Sequence, residues 1–421
     1  MLLLRPARGG TKTVGAVTLQ TLTIVGVGLM STGGYTGTGA VTVPGIVVAG
    51  SGPPRPPISV YDATVAAQGT SHAVRSRLVT LTASDAVIAT YDEELLTGSV
   101  TYDRTREVRR SAEVTLVDED GDLTPTSLAD EFAPGQRLRL ERGVAGLGYL
   151  SLGTFVVSSF DGEMRGALGL RLEDTTDVLQ QDFGAAVTLS STTRASRALR
   201  ILWEPVLGDG SAWDLDDGSA VLGAAQTYTE DDERLHAGAA LMADLGLEVY
   251  TDREGVPVLS QLTDPTILEV AHTFEEASGM ARATSFTRSG EFRPVNRQVV
   301  VGDNLDGPVI RGEAVITDPS HPWHPERIGL RTAALYRSAR VTTTYAAVTL
   351  AKALLYERAW ADSVSWSGVP DITVEAGDLA RFVESQTQTD DRYRIDRVTL
   401  PVTTGEMRIE ATLVVPLFRE T

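Results

Sequence analysis

Few side chains in this chain have the type and spacing that chemistry requires. His321-Pro322-Trp323-His324 is the one close pair among five histidines. Its prolines argue against a helix, no Glu follows as in a helical His-Glu-x-x-His zinc motif, and no third ligand is evident. An ordered polar loop is expected there. Asp118-Glu119-Asp120-Gly121-Asp122 and Asp214-Leu215-Asp216-Asp217-Gly218 offer oxygen ligands of the calcium kind. Neither keeps the EF-hand spacing, with Gly at the sixth place and Glu at the twelfth, so solvent-facing turn acids are expected. Arg104, Arg106, Arg109 and Arg110 form the densest cationic cluster of the body. Alternation along a strand puts some on each face, and ion pairing between subunits is the expected use rather than contact with DNA. There is no phosphate-binding GxxxxGK[ST] loop and no GxSxG nucleophile elbow, and no acid/base pair stands out among 56 carboxylates. No catalytic, cofactor-binding or metal-ligating residue is therefore nominated, and no cofactor is expected.

These groups must be carried by a folded scaffold. The chain has 421 residues, 42% apolar and 22% charged, which is enough for two to four domains with real cores. The net charge of −19 argues against sequence-specific nucleic-acid binding, because that needs cations against phosphates. An acidic wall is compatible with DNA passing along it without sticking. Cysteine is absent, which removes disulfides, zinc-thiolate sites and thiol catalysis. The first residues lack the apolar core of a secretory signal, and no apolar run is long enough for a membrane span, so neither export by that route nor a membrane span is expected.

Residues 1–60 hold four cations and no acid, so the acidic excess lies entirely in the rest. Within this arm Gly15-Ala16-Val17-Thr18-Leu19 and Gly26-Val27-Gly28 return 24 residues later as Gly39-Ala40-Val41-Thr42-Val43 and Gly50-Ser51-Gly52. The Val/Thr content favours extended strands that need neighbours to pair with; a flexible Gly-rich arm is the alternative. Pro53-Pro54-Arg55-Pro56-Pro57 reads as a stiff spacer.

From residue 72 onward apolar and polar positions alternate at 77–82, 98–102, 110–117, 136–140, 153–160 and 168–173, the period of half-buried antiparallel strands. A helix is expected to begin within 191–200. Another, capped by Thr229 with the acids 230–232 in its first turn, is expected to run through 235–245 and stop at Gly246. A hairpin over 247–259 turns at Thr251–Gly255, with Pro257 at a strand edge or terminus. A strand over 296–302 precedes a polar segment to 330. The clearest helix is 345–360, and strands return at 371–382, 393–400 and 407–415.

Two distant segments match each other. Ala133-Pro134-Gly135-Gln136-Arg137-Leu138-Arg139-Leu140 resembles Glu375-Ala376-Gly377-Asp378-Leu379-Ala380-Arg381-Phe382. Phe155–Phe160 and Gly162-Glu163-Met164-Arg165 likewise match Tyr393–Val398 and Gly405-Glu406-Met407-Arg408. A chain with two similar β domains can present six equivalent units as a trimer, matching a sixfold partner on one side and threefold symmetry on the other.

Three stretches carry a resemblance to tail hub proteins of tailed bacteriophages, the minor tail or baseplate hub family of phages of actinobacteria. They are 98–112 with Phe132–Gly135 and Leu152–Phe155, then 296–302 with 314–318, then helix 345–360 with Pro370, Gly377-Asp378 and Tyr393-Arg394-Ile395. The resemblance covers roughly 72–418. It implies a mainly β fold with an α+β middle, two related β-barrel-like domains in one chain, and phage tail hub architecture. The expected division is a basic arm at 1–60, a first hub β domain at 61–190, a mixed middle at 191–340, and a helix with the second hub β domain at 341–421.

The resemblance further implies a non-enzymatic homotrimer at the distal end of the tail, assembled in the bacterial host cytoplasm. It would be a symmetry adaptor joining a distal tail protein or tail tube ring to a central fibre or tip proteins. It would also meet the C-terminus of the tape-measure protein and line or close the DNA channel. The competing readings are a tail-associated enzyme that degrades cell wall and a receptor- or carbohydrate-binding tip protein. The chain ends just after its last strand, so no appended catalytic domain is expected, and 6% aromatic content argues against ring-stacking sugar sites.

Overall fold

The computed structural model describes residues 74–418, apart from 145–147, 163–165, 210–211, 276–282, 291–293, 303–308, 360–361 and 385–388. The arm and its repeat lie outside the described residues, which fall within one compact unit, Ala66–Thr421.

Seven strands open it: β1 (Val74–Leu81), β2 (Val87–Tyr91), β3 (Leu95–Asp103), β4 (Arg110–Asp118), β5 (Arg137–Val144), β6 (Gly148–Gly162) and β7 (Gly166–Asp174). The expected alternation is plain in β4, where Ala112, Val114 and Leu116 point inward and Glu113 outward. A mixed region follows: β8 (Val187–Leu189), α1 (Ala195–Leu207), β9 (Asp214–Leu215), β10 (Gln226–Tyr228), α2 (Arg234–Asp244), β11 (Leu247–Thr251) and β12 (Pro257–Gln261). Then come β13 (Val270–Glu275), β14 (Ala283–Gly290), β15 (Arg297–Gly302), β16 (Ile310–Val315), α3 (Pro325–Ile328), β17 (Tyr336–Ser338) and α4 (Thr344–Arg358). The last strands are β18 (Asp362–Gly368), β19 (Leu379–Glu384), β20 (Thr389–Pro401) and β21 (Met407–Leu413).

Thirteen strands form one sheet in the order β14-β18-β21-β20-β3-β4-β7-β6-β5-β1-β2, with β19 and β13 branching from β20. The path is open at β14 and β2. Its two halves repeat each other. In chain order and in pairing order, β3-β4-β7-β6-β5 corresponds to β14-β18-β21-β20-β19, antiparallel throughout. The glycine turn repeats as well. Gly135 (φ +90°) donates to Val157 O at 2.8 Å and Val157 to Gln136 O at 2.9 Å; Gly377 (φ +100°) donates to Ile395 O at 2.7 Å and Ile395 to Asp378 O at 2.9 Å. One residue later each long strand bulges, between Val157 and Ser159 and between Ile395 and Arg397.

The repeat ends at the sixth strand, because β1 runs antiparallel to β5 whereas β13 runs parallel to β19. Equating Val157 with Ile395 also equates Leu170 with Ile409, and hence Leu168 with Met407. Residues 163–165 of the Gly162–Arg165 match lie outside the described residues, and in this register Gly162 corresponds to Leu400 rather than to Gly405.

Several local expectations change. The helix after Thr229 starts only at Arg234, since Asp232 accepts from the Thr229 N–H (2.6 Å) and hydroxyl (3.0 Å) and closes a separate turn before it. It does end at Gly246, φ +73°. Residues 371–377 are not strand: Asp371 accepts from the Thr373 N–H at 2.9 Å, and the strand waits for Leu379. The polar segment to 330 contains β16.

Two further cores flank the sheet. Around Trp203 the helices α1 and α2 bury Leu199, Leu202, Leu241 and Met242. Gly238 permits that approach, since a Cβ there would overlap the Trp203 indole. The second core forms where α4 lies on β15 and β16 through Ala347, Leu350, Ala351 and Leu355. Gly312 of β16 meets the helix so closely that a Cβ would overlap the backbone of Ala347 and Val348, which cannot rotate away. Gly312→Ala is therefore expected to cost about 3 kcal/mol, the upper end for overpacking, in urea unfolding. Gly169→Ala in β7 is the control: its nearest neighbour is Asp161 O at 3.4 Å, an ordinary contact, and it should be close to neutral.

Candidate functional site

The arginine cluster is where the parts of the chain meet. It lies at the turn between β3 and β4, which places Arg104, Arg109 and Arg110 against β11 and its hairpin, the end of α4, and the start of β19. Arg104 reaches Glu357 at 2.8 Å and Asp396 at 3.1 Å, and Arg394 joins Glu357 at 2.7 Å. Arg109 pairs with Glu248 at 2.8 Å, its guanidinium 5.2 Å from the Tyr250 ring. Arg110 is buried, donates to Thr251 O at 3.2 Å and to Glu375 at 2.6 Å, and lies 4.5 Å from the Tyr102 ring centre. Arg253, from the β11–β12 turn, binds the other oxygen of Glu375. The expectation of ion pairing between subunits is corrected in its location. Arg104, Arg109 and Arg110 find their acids within the chain, because folding brings partners from far along the sequence, Glu248, Glu357, Glu375 and Asp396, onto the turn.

Asp174 fixes the turn by accepting from the backbone N–H groups of Arg109 (3.0 Å) and Arg110 (3.2 Å). The electrostatics follow from burial and pairing. Burial disfavours the charge on Glu375, but Arg110 and Arg253 outweigh it and hold the carboxyl below its ordinary range. Glu248 is likewise held down by Arg109, Arg394 and Arg104 against its burial. Asp252, on the same hairpin, has no ion-pair partner among the described residues; burial raises it to about 6, against the pull of the Val256 N–H and of Arg110. These groups hold one another in place.

The other singled-out residues have structural work. His321 is buried, its Nδ1 accepts from the Trp323 N–H at 3.0 Å, and desolvation lowers it to about 4, so the ring is neutral. His324 caps α3 by accepting from the Glu326 N–H at 3.3 Å. Both Nδ1 atoms serve the loop backbone. Asp118 is buried and accepts from the N–H groups of Leu123 (3.0 Å) and Thr124 (2.9 Å), rather than facing solvent. Asp217 is buried too, and accepts from the Ser196 N–H (3.2 Å) and hydroxyl (2.6 Å) at the start of α1. The acids facing solvent in these runs are Glu119, Asp120 and Asp122, and Asp214 and Asp216. Among the described residues no group of three His, Asp or Glu is placed to hold a metal ion, and no helix is long and apolar enough to cross a membrane.

Sequence reasoning found the arginines and missed their acids. Glu375 had one signal: it stands where the matching turn of the first half has Ala133, which is buried. A carboxylate in place of a buried alanine marks a position with a distant cation.

No family model matches the chain, and no curated protein matches it. Solved structures do. The 43 kDa tail protein of prophage MuSo2 from Shewanella oneidensis aligns at TM-score 0.56 and 11% identity, over 81% of this chain and 98% of that one. The fold is that of phage tail proteins. The tail protein from Neisseria meningitidis MC58 aligns at TM-score 0.56 and 10% identity over 83% and 100% of the two chains. Prophage tail protein gp18 from Listeria monocytogenes EGD-e aligns at 0.52 and 14% over 80% and 94%. The mainly β fold with its α+β middle is thus a phage-tail architecture shared at identities where only the fold is retained.

Proposed function

We propose that the chain is a structural tail hub, a homotrimer at the distal end of a phage tail that adapts a sixfold tube or distal tail ring to a threefold tip or central fibre. The observation that carries this reading is the repeated half-sheet, five strands in the same order and register, joined edge to edge where β20 pairs with β3. Three copies would set six near-equivalent units around one axis. The ionic junction supports it mechanically: an adaptor needs its two units held at a fixed angle, and Arg104, Arg110 and Glu375 tie them across the joint.

The acidic excess suits a wall along which DNA slides without adhering, and tape-measure, distal tail and tip proteins are the partners such a position supplies. In this reading residues 1–60 add strands to a neighbouring tail protein, the first hub half lies in 61–190, the second joins β14 from within 191–340 to the strands of 341–421, and the rest of 191–340 packs beside the joined halves. The protein is then a virion component without catalytic activity.

Light scattering on the purified full chain tests this. The expected mass is three times 44.9 kDa, with no release of sugar or peptide from host cell walls. A monomer at every concentration, or release of wall fragments, contradicts it.

A further inference from the structure

The joint inside the chain has an unfilled counterpart. β20 pairs with β19 over Thr389–Arg394, and beyond it, on the same side, with β3 over Arg397–Pro401, while β21 holds its other side. β6 is built alike. It pairs with β5 up to Val156 and with β7 up to Gly162, and among the described residues no strand lies on the β5 side of 158–162. β14, the counterpart of β3, pairs with β18 on one side and with no described strand on the other. One chain therefore carries a vacant acceptor and a vacant donor of the same joint.

We propose that a second copy of this chain docks edge to edge, β14 of one copy against residues 158–162 of the next, repeating between copies the β3–β20 joint made within one. This deepens the trimeric reading above and rests on it.

The internal repeat sets the register. Val157 corresponds to Ile395, so Phe160 corresponds to Val398 and Asp161 to Thr399. Gly98 and Phe286 pair with the equivalent residues Val114 and Trp366, so Thr101 corresponds to Ser289 and Tyr102 to Gly290. Within the chain Val398 faces Tyr102 and Thr399 faces Thr101. Between copies Phe160 then faces Gly290, and Asp161 faces Ser289.

Burial and shape agree with that register. Val398 is fully buried beneath the joint, whereas Phe160 is 37% exposed, a large apolar side chain left uncovered at the equivalent place. The sizes are exchanged, with Tyr against Val inside the chain and Gly against Phe between copies, so the bulky ring sits on the opposite strand and meets the residue without a side chain. A donor edge at one end and an acceptor at the other make a head-to-tail contact, the kind that closes into a ring.

Disulfide trapping tests the surface. The chain contains no cysteine, so introduced thiols stand alone. Asp161→Cys and Ser289→Cys take the places of Thr399 and Thr101, whose hydroxyls stand 3.4 Å apart across the template joint, within reach of a cross-strand disulfide. In the full chain carrying both, oxidation should give a ladder that ends at the trimer, while either substitution alone gives none. Phe160→Asp should convert the assembly to a monomer that still unfolds in a single cooperative transition.

A trimeric mass without cross-links, or with cross-links equal in the single variants, overturns this surface and leaves the trimer standing. A monomeric mass without cross-links overturns both. A ladder running on past three upholds the surface and overturns closure at three.

Discussion

Replacing Glu375 by Gln is expected to lower the unfolding free energy by about 3–5 kcal/mol, among the largest effects of any single substitution in the chain. The reason is what remains. Arg110 is buried and Arg253 lies close by, and both direct guanidinium N–H groups at the carboxylate. Gln keeps the shape but loses the charge and one acceptor, leaving two cations facing each other without compensation. Removing a cation afterwards should recover part of the loss, so Arg253→Ala in the Glu375→Gln background is expected to cost less than the two single losses added together.

The pH dependence has a fixed sign. The folded carboxyl titrates below its ordinary value, so its contribution is fully present above the unfolded value of about 4.3 and is lost as pH falls through the folded one. The gap between native chain and variant is therefore widest above about pH 5 and narrows in acid. Urea midpoints from pH 7 down to pH 3 measure it; a gap that stays constant, or grows in acid, contradicts the assignment.

Trp366→Ala is the second large effect, expected at about 3–5 kcal/mol. Trp366 lies between Phe274 of β13 (5.3 Å between ring centres), Phe382 of β19 (5.4 Å) and Tyr393 of β20 (6.1 Å). It joins the branch β19-β13 to the main sheet, and the rings around it, held in a close-packed interior, fill such a cavity poorly. Its Nε1 has no hydrogen-bond partner among the described residues, so the ring volume carries the effect. Trp366→Phe should thus cost under about 1.5 kcal/mol. A loss in Trp366→Phe equal to that in Trp366→Ala would mean that an indole contact outside this cluster holds the second half together.

The strands of the first half were legible because apolar residues recur in them at period two, as Val114 and Leu116 in β4 and Leu168 and Leu170 in β7 show. β13, β14 and β18 were not. In β18 the sequence Ser363-Val364-Ser365-Trp366-Ser367 buries only Val364 and Trp366, and serines between them signal turn as readily as strand. Such a strand is defined by its neighbours on both sides, which a reading of local pattern does not contain. The glycine turns at Gly135 and Gly377 were legible as a repeat, since both need a positive φ. The slip in the match at Gly162 shows the limit: turn residues recur for local reasons, whereas hydrogen-bond register identifies equivalent positions. The junction was half legible. Four arginines within seven residues announce a cationic turn, but their acids are dispersed over the later chain, and only folding brings Glu248, Glu357 and Glu375 to it.

In the proposed trimer the two repeated half-sheets of each chain set six units in one ring. Electron micrographs of the purified full chain, averaged end-on, test it most directly. The proposed trimer should give a closed ring of six similar densities with threefold symmetry; a single particle without cyclic symmetry, or a ring with any other number of units, would contradict it.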